Sequence, residues 1–189
     1  MFANCKSLEK LDISNFDTSS AKYLHYKFHK CESLISFDLT RFNTSKIISF
    51  YRMFSGCKSL EKLDISNFDT SSAKGLDYMF TNCESLKSLD LTRFNTSKVE
   101  TFSCMFANCK SLEKLDISNF DTSSAKSLDY MFTNCESLIS LDLTNINTFQ
   151  VKNMSRLFYN CTSLTSLELG NLIHLLLMIC HICLIIVNL

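Results

Sequence analysis

Residues 79–99 read MFTNCESLKSLDLTRFNTSKV, and closely similar strings stand before and after them at a fixed interval. Cys5, Cys31, Cys57, Cys83, Cys109, Cys135 and Cys161 are 26 residues apart throughout. The rows Phe2, Phe28, Phe54, Phe80, Phe106, Phe132, Phe158 and Leu8, Leu34, Leu60, Leu86, Leu112, Leu138, Leu164 keep the same interval. A longer beat of 52 lies on top: residues 1–22 recur letter for letter at 105–126, and 53–74 differ from them only at Ser55 and Gly56. An unbroken period of this length is the mark of a solenoid. One short unit cannot cover its own apolar faces, and stacking copies in register buries them as a continuous core.

Within one unit the reading changes once. Leu63-Asp64-Ile65 alternates as a short half-buried strand does. Asn67, Asp69, Thr70, Ser71 and Ser72 supply turn and capping groups without Gly or Pro. Ala73, Leu76, Met79, Phe80 and Cys83 then fall at i, i+3, i+6, i+7 and i+10, which predicts one face of a short helix. The fold expected is an α/β solenoid of seven 26-residue units over residues 1–170, followed by an apolar segment, 171–189.

The L-x-x-L-x-L core is leucine-rich-repeat-like. The fuller pattern, Met79-Phe80-Thr81-Asn82-Cys83-Glu84-Ser85-Leu86 through Leu89-Asp90-Leu91-Thr92 to Phe94-Asn95-Thr96-Ser97-Lys98-Val99, resembles the BspA-like leucine-rich repeats of bacterial and protist surface proteins. The resemblance covers roughly residues 1–170. It implies a leucine-rich-repeat arc with parallel strands on one face and short helices on the other. It also implies display at a cell surface and adhesion to a host or extracellular-matrix protein. A truncated or degenerate repeat fragment, structural or without a ligand of its own, is the alternative reading.

Composition excludes several classes. Nineteen Lys+Arg against nineteen Asp+Glu leave no basic excess to neutralise phosphates, so nucleic acid is not the expected partner. No Pro, no Trp and three Gly accompany 16 Phe, 27 Leu and 27 Ser. No nucleophile elbow, phosphate loop or dinucleotide fingerprint exists, so no catalytic residue, cofactor or metal is assigned. His25 and His29, an i, i+4 pair, lack a third ligand and read as surface substitutions.

Two rows remain as candidates. The cysteine row Cys5, Cys31, Cys57, Cys83, Cys109, Cys135 and Cys161 reads as a structural ladder of packed thiols, because parallel side chains beside Phe and Leu are poorly posed for bridges. Cys104 stands outside it, at the place of Tyr26, Arg52, Tyr78, Tyr130 and Arg156. It is the thiol expected to be exposed and reactive. The second row is Asp12, Asp38, Asp64, Asp90, Asp116, Asp142 and Glu168. Each lies beside the aliphatics of the L-x-L strand and must point away from the core. It is either a solvated face or a stripe that binds a basic protein segment. A straight row does not converge as the six to eight oxygens around Ca²⁺ do. Asn43-Thr44-Ser45, Asn95-Thr96-Ser97 and Asn160-Cys161-Thr162 carry glycosylation sequons that repeat-turn chemistry already explains.

No secretory signal precedes the first repeat. At the other end, residues 171–189 hold no Asp, Glu, Lys or Arg, and 15 of the 19 are Leu, Ile, Met, Cys or Val. A helix of that length would reach about 28 Å, the thickness of a bilayer's hydrocarbon core. A membrane anchor, a cap over the last repeat and an out-of-frame end all remain open.

Overall fold

The computed structural model describes residues 2–169. The segment 171–189, and with it the choice between anchor, cap and out-of-frame end, lies outside the described residues.

Four short strands follow one another at the repeat interval: β1 (Ser88–Leu89), β2 (Lys114–Leu115), β3 (Ser140–Asp142) and β4 (Ser166–Glu168). β1 pairs with β2 and β3 with β4, both in parallel, and partners are 26 residues apart, as in Leu141 opposite Leu167. Each 26-residue unit is therefore one coil of the solenoid, and equivalent residues of neighbouring coils form columns.

The stretch expected to be helical is not helical, and no helix occurs among the described residues. It forms a second parallel ladder instead. Isolated bridges link Tyr23, Ser49, Gly75, Thr101, Ser127 and Asn153 in sequence. The N–H groups of Leu76, Tyr78, Phe80 and Asn82 donate to Thr101, Ser103, Met105 and Ala107 of the next coil, at 3.2, 2.9, 2.9 and 2.8 Å. The N–H groups between them, on Met79, Thr81 and Cys83, donate three residues back to Leu76, Tyr78 and Phe80. Alternate amides thus face the neighbouring coil and close tight turns within their own.

Left-handed backbone explains why a helix cannot run here. Tyr26, Arg52, Tyr78, Cys104, Tyr130 and Arg156 have φ between 54° and 57°. Four residues later Asn4, Lys30, Gly56, Asn82, Asn108, Asn134 and Asn160 are also positive. Two such residues per coil interrupt any right-handed run. Asn and Gly tolerate this conformation best, which accounts for the Asn before most ladder cysteines. A chain of three-residue turns still places apolar residues at the spacing that suggested a helix. The inward set was therefore read correctly and its backbone was not: Ala73, Leu76, Met79, Phe80 and Cys83 are all fully buried.

The core is a bundle of such columns. Seven phenylalanines from Phe2 to Phe158 stack with ring centroids 5.6–6.0 Å apart and planes within 8° of parallel. Beside them runs the thiol ladder. Cys57 Sγ donates to Phe28 O of the preceding coil at 3.1 Å, and Cys31, Cys83, Cys109, Cys135 and Cys161 repeat the contact at 3.0–3.3 Å. The buried sulfhydryl is thus a weak donor as well as a small apolar group. A row of threonines forms a third tie. Thr70 Oγ1 donates to Asn95 O at 2.9 Å and accepts from Asn95 N at 2.8 Å, and Thr44 and Thr122 make the same paired contact one coil on. Each hydroxyl satisfies two backbone groups that burial would otherwise leave unpaired.

Candidate binding face

The strand face carries the carboxylate row where the sequence places it. Leu63 and Ile65, Leu89 and Leu91, Leu115 and Ile117, and Leu141 and Leu143 point into the core. Asp12, Asp38, Asp64, Asp90, Asp116, Asp142 and Glu168 are all exposed. So are the flanking Lys10, Ser36, Lys62, Ser88, Lys114, Ser140 and Ser166, and on the other side Ser14, Thr40, Ser66, Thr92, Ser118 and Thr144.

Each aspartate also has a structural task. Its Oδ1 accepts from the backbone N–H two residues on: Ser14, Thr40, Ser66, Thr92, Ser118 and Thr144, at 2.8–3.0 Å. Thr40, Thr92 and Thr144 add a hydroxyl bond of 2.6–2.7 Å to the same oxygen. These local turns end each strand and fix the direction of the carboxylate. They also hold every carboxyl below its ordinary range. The Ser66 N–H, then its hydroxyl, act on Asp64, while the Thr92 hydroxyl, then its N–H, act on Asp90. The like charges of Asp38 and Asp90 push Asp64 the other way and do not prevail. At neutral pH the six aspartates of the row are charged. A shallow depression lies among Ser36, Phe37, Lys62, Leu63, Asp64, Ser88 and Asp90. Among the described residues no group of His, Cys, Asp or Glu is arranged to hold a metal ion.

The sequon asparagines Asn43 and Asn95 cap turns in the same way, accepting from the N–H and hydroxyl of Ser45 and Ser97. His25 and His29 are not brought together. His25 packs on Tyr23 and Tyr51, and His29 on Tyr26.

The cysteines divide differently from the expectation. Cys31, Cys57, Cys83, Cys109, Cys135 and Cys161 are buried, and burial pushes Cys109 and Cys161 up to about 12. Cys104 is half-buried rather than exposed, and burial raises its thiol too, aided by the charges of Asp129 and Asp77. Among the described residues the exposed thiol is Cys5.

The opposite side of the coil holds residues that the sequence reading did not assemble. Tyr51 lies edge-on to both Tyr26 and Tyr78, with centroids 5.3 and 5.7 Å away. The Arg52 guanidinium sits 4.3 Å from the Tyr78 ring centroid and its Nε donates to the Tyr51 hydroxyl at 3.1 Å. The available signal was the departure of residues 22–30 from their sister units, which becomes a surface only when the next coil brings Tyr51 and Arg52 beside them.

Two stacked parallel ladders, buried aromatic and thiol columns and an exposed polar strand face define a repeat solenoid of leucine-rich-repeat kind. The chain belongs to the family described as Mycoplasma protein of unknown function, DUF285, whose model matches residues 1–90 and 74–171. No curated protein matches it. Among solved structures it is similar to a leucine-rich repeat protein of T. pallidum, at 18% identity and TM-score 0.49 over 85% of this chain. Others are leucine-rich repeat proteins from Eubacterium ventriosum (18%, TM-score 0.48, 77% of this chain) and Bacteroides ovatus (24%, TM-score 0.39, 89% of this chain). The chain spans 63%, 45% and 51% of those three proteins.

Proposed function

We propose that the protein is a non-enzymatic, protein-binding solenoid of BspA-like, adhesin type, displayed at a cell surface, and that its strand face engages a basic segment of a protein partner such as a host or matrix protein. The observation that supports this is the row itself. Asp12, Asp38, Asp64, Asp90, Asp116 and Asp142 are exposed, ionised and held in one orientation by the N–H two residues on. A regular line of like charge on a rigid support attracts a flexible cationic segment over a Debye length and contributes mainly to encounter rate and specificity.

The test uses a fluorescent Lys/Ser dodecapeptide and the variant Asp64→Asn, Asp90→Asn, Asp116→Asn. Asparagine keeps an oxygen for the N–H two residues on, so the turns survive while three charges vanish. Association measured by stopped-flow should slow about tenfold at low salt, with the difference shrinking as salt rises. Unaltered kinetics at low salt would remove the strand face from consideration.

A further inference from the structure

The second ladder is not uniform along the solenoid. Residues 126–134 read KSLDYMFTN and residues 74–82 read KGLDYMFTN, but the equivalent stretch 22–30 reads KYLHYKFHK. Against 126–134 there are five departures, at Tyr23, His25, Lys27, His29 and Lys30. They remove one carboxylate and add two ammonium groups, one phenol and two imidazoles. Residues 1–22 are identical to 105–126, and 31–46 differ from 83–98 only at Ile35 and Phe37, so the changes cluster in 22–30 against a closely similar background.

The geometry gathers Tyr23, His25, His29 and Lys30 with the next coil into one patch, whereas Lys27 turns inward beside Phe2, Phe16 and Asp17. Tyr23 is 54% and Tyr26 40% exposed, and His25 and Lys30 are also exposed. His25 lies 5.0 Å from Tyr23 and 6.0 Å from Tyr51, and Tyr51 carries Arg52. His29 packs edge-on to Tyr26, and its buried Nδ1 has no hydrogen-bond partner. No acidic residue occurs between Thr18 and Cys31. Farther along the same side the equivalent places hold Asp77, Thr101, Ser103, Ser127 and Asp129, joined by hydroxyl-to-carboxylate bonds. The neutral chain is thus polarised. Residues 1–58 carry nine Lys and Arg against five Asp and Glu, and residues 59–189 carry ten against fourteen.

We propose that the Tyr23–His25–Tyr26–Tyr51–Arg52 patch, with Lys22 and Lys30, is a second docking surface that binds an acidic segment of a protein partner. Tyrosine and arginine, with tryptophan, are enriched among the residues that dominate binding energy at protein interfaces, because they bring large area and directional polar groups. Arg52 is already held between two rings, so little freedom remains to be lost when a carboxylate meets its fork. The exposed ammonium groups of Lys22 and Lys30, on the same stretch as Tyr23 and His25, select negative partners. This proposal rests on the reading of the solenoid as a protein-binding module, but it concerns a different face and the opposite charge.

The deciding variant restores the sister sequence: Tyr23→Ser, His25→Asp, Lys27→Met, His29→Thr, Lys30→Asn. Residues 126–134 already fold with these side chains, so loss of structure is not expected, and circular dichroism checks it. The probes are a fluorescent Glu/Gly dodecapeptide, a heparin oligosaccharide of equal charge, and the Lys/Ser peptide. The full chain should bind the Glu/Gly peptide. The five-fold variant and Arg52→Ala should each weaken that binding at least tenfold, about 1.4 kcal/mol, and leave Lys/Ser binding unchanged. Equal Glu/Gly binding by the five-fold variant and the unaltered chain would overturn the proposal. Tighter binding of heparin than of the peptide would also overturn it, in favour of a glycan. Binding of the Lys/Ser peptide alone would sink this surface and spare the strand face, whereas binding of neither peptide would count against both.

Discussion

Replacing Phe80 by Leu tests whether the aromatic column is a set of ring contacts or only apolar filling. Phe80 is fully buried between Phe54 and Phe106, both 5.6 Å away and within 8° of parallel. Each offset stack is worth roughly 0.5–1.5 kcal/mol beyond area burial. Two of them therefore account for about 1–3 kcal/mol. Leu fills most of the ring's space, and the residual void adds about 1 kcal/mol. The expected loss is about 2–4 kcal/mol. Phe158 stacks on Phe132 alone among the described rings, so Phe158→Leu should cost about 1.5–2.5 kcal/mol on the same count. Urea unfolding followed by circular dichroism gives both values. A double-mutant cycle sharpens the test. Phe80→Leu with Phe106→Leu should show coupling of about 0.5–1.5 kcal/mol. Phe28→Leu with Phe132→Leu, four coils apart, should be additive within about 0.5 kcal/mol. Equal costs at Phe80 and Phe158 together with zero coupling between Phe80 and Phe106 would show that the rings act only through their volume.

Thiol titration of the native protein should find Cys5 fast, Cys104 slow and the six ladder residues from Cys31 to Cys161 silent until denaturant is added; rapid labelling of Cys83 without denaturant would contradict the packing. The aspartate row gives an acid limit. Its folded values lie below the ordinary 3.8, so the stability it contributes is present above 3.8 and is lost as pH falls through those depressed values. Unfolding midpoints that stay constant from pH 5 to pH 2 would refute this. Asp77 behaves oppositely: burial raises its carboxyl, outweighing the Thr101 hydroxyl bond, so its contribution is fully present below 3.8 and is lost as pH rises through the raised value. Asp77→Asn should therefore compare better with the unaltered protein at pH 7 than at pH 4, and the reverse order in urea melts would show the burial argument to be wrong.

The columns were legible in the sequence because they depend only on period. Phe54, Cys57, Leu60 and Asp64 had to occupy the same place in every coil, and the inward or outward sense of Leu63-Asp64-Ile65 follows from strand alternation. The helix was misread for a specific reason. Turn bonds three residues long, such as Cys83 to Phe80 and Leu86 to Cys83, give nearly the same apolar spacing as a helical face. The signal that separates them is a residue at positive φ, and Tyr78 or Arg52 gives no compositional warning of one. The buried threonines were hidden for a related reason. Thr70 looks like ordinary turn chemistry until the neighbouring coil brings Asn95 to its hydroxyl. Exposure of Cys104 was inferred from the tyrosines and arginines that share its column, but a thiol is much smaller than those side chains and is half-buried at that place. The strand-face carboxylates were placed correctly, and their second role as strand terminators needed the coordinates.

The fixed column register limits how this gene can change length. Deleting one residue between Phe80 and Cys83 would throw the ring stack, the sulfhydryl contacts and the threonine ties out of step at once in one half of the molecule. Deleting 26 residues between equivalent positions, for example from Cys57 to the residue before Cys83, would leave every column continuous and merely one member shorter. Unequal exchange between copies as alike as 1–22 and 105–126 produces changes of this second kind. The molecule can therefore lengthen or shorten in whole coils without redesign of its interior, and reach along the axis becomes a quantity adjusted by recombination rather than by substitution.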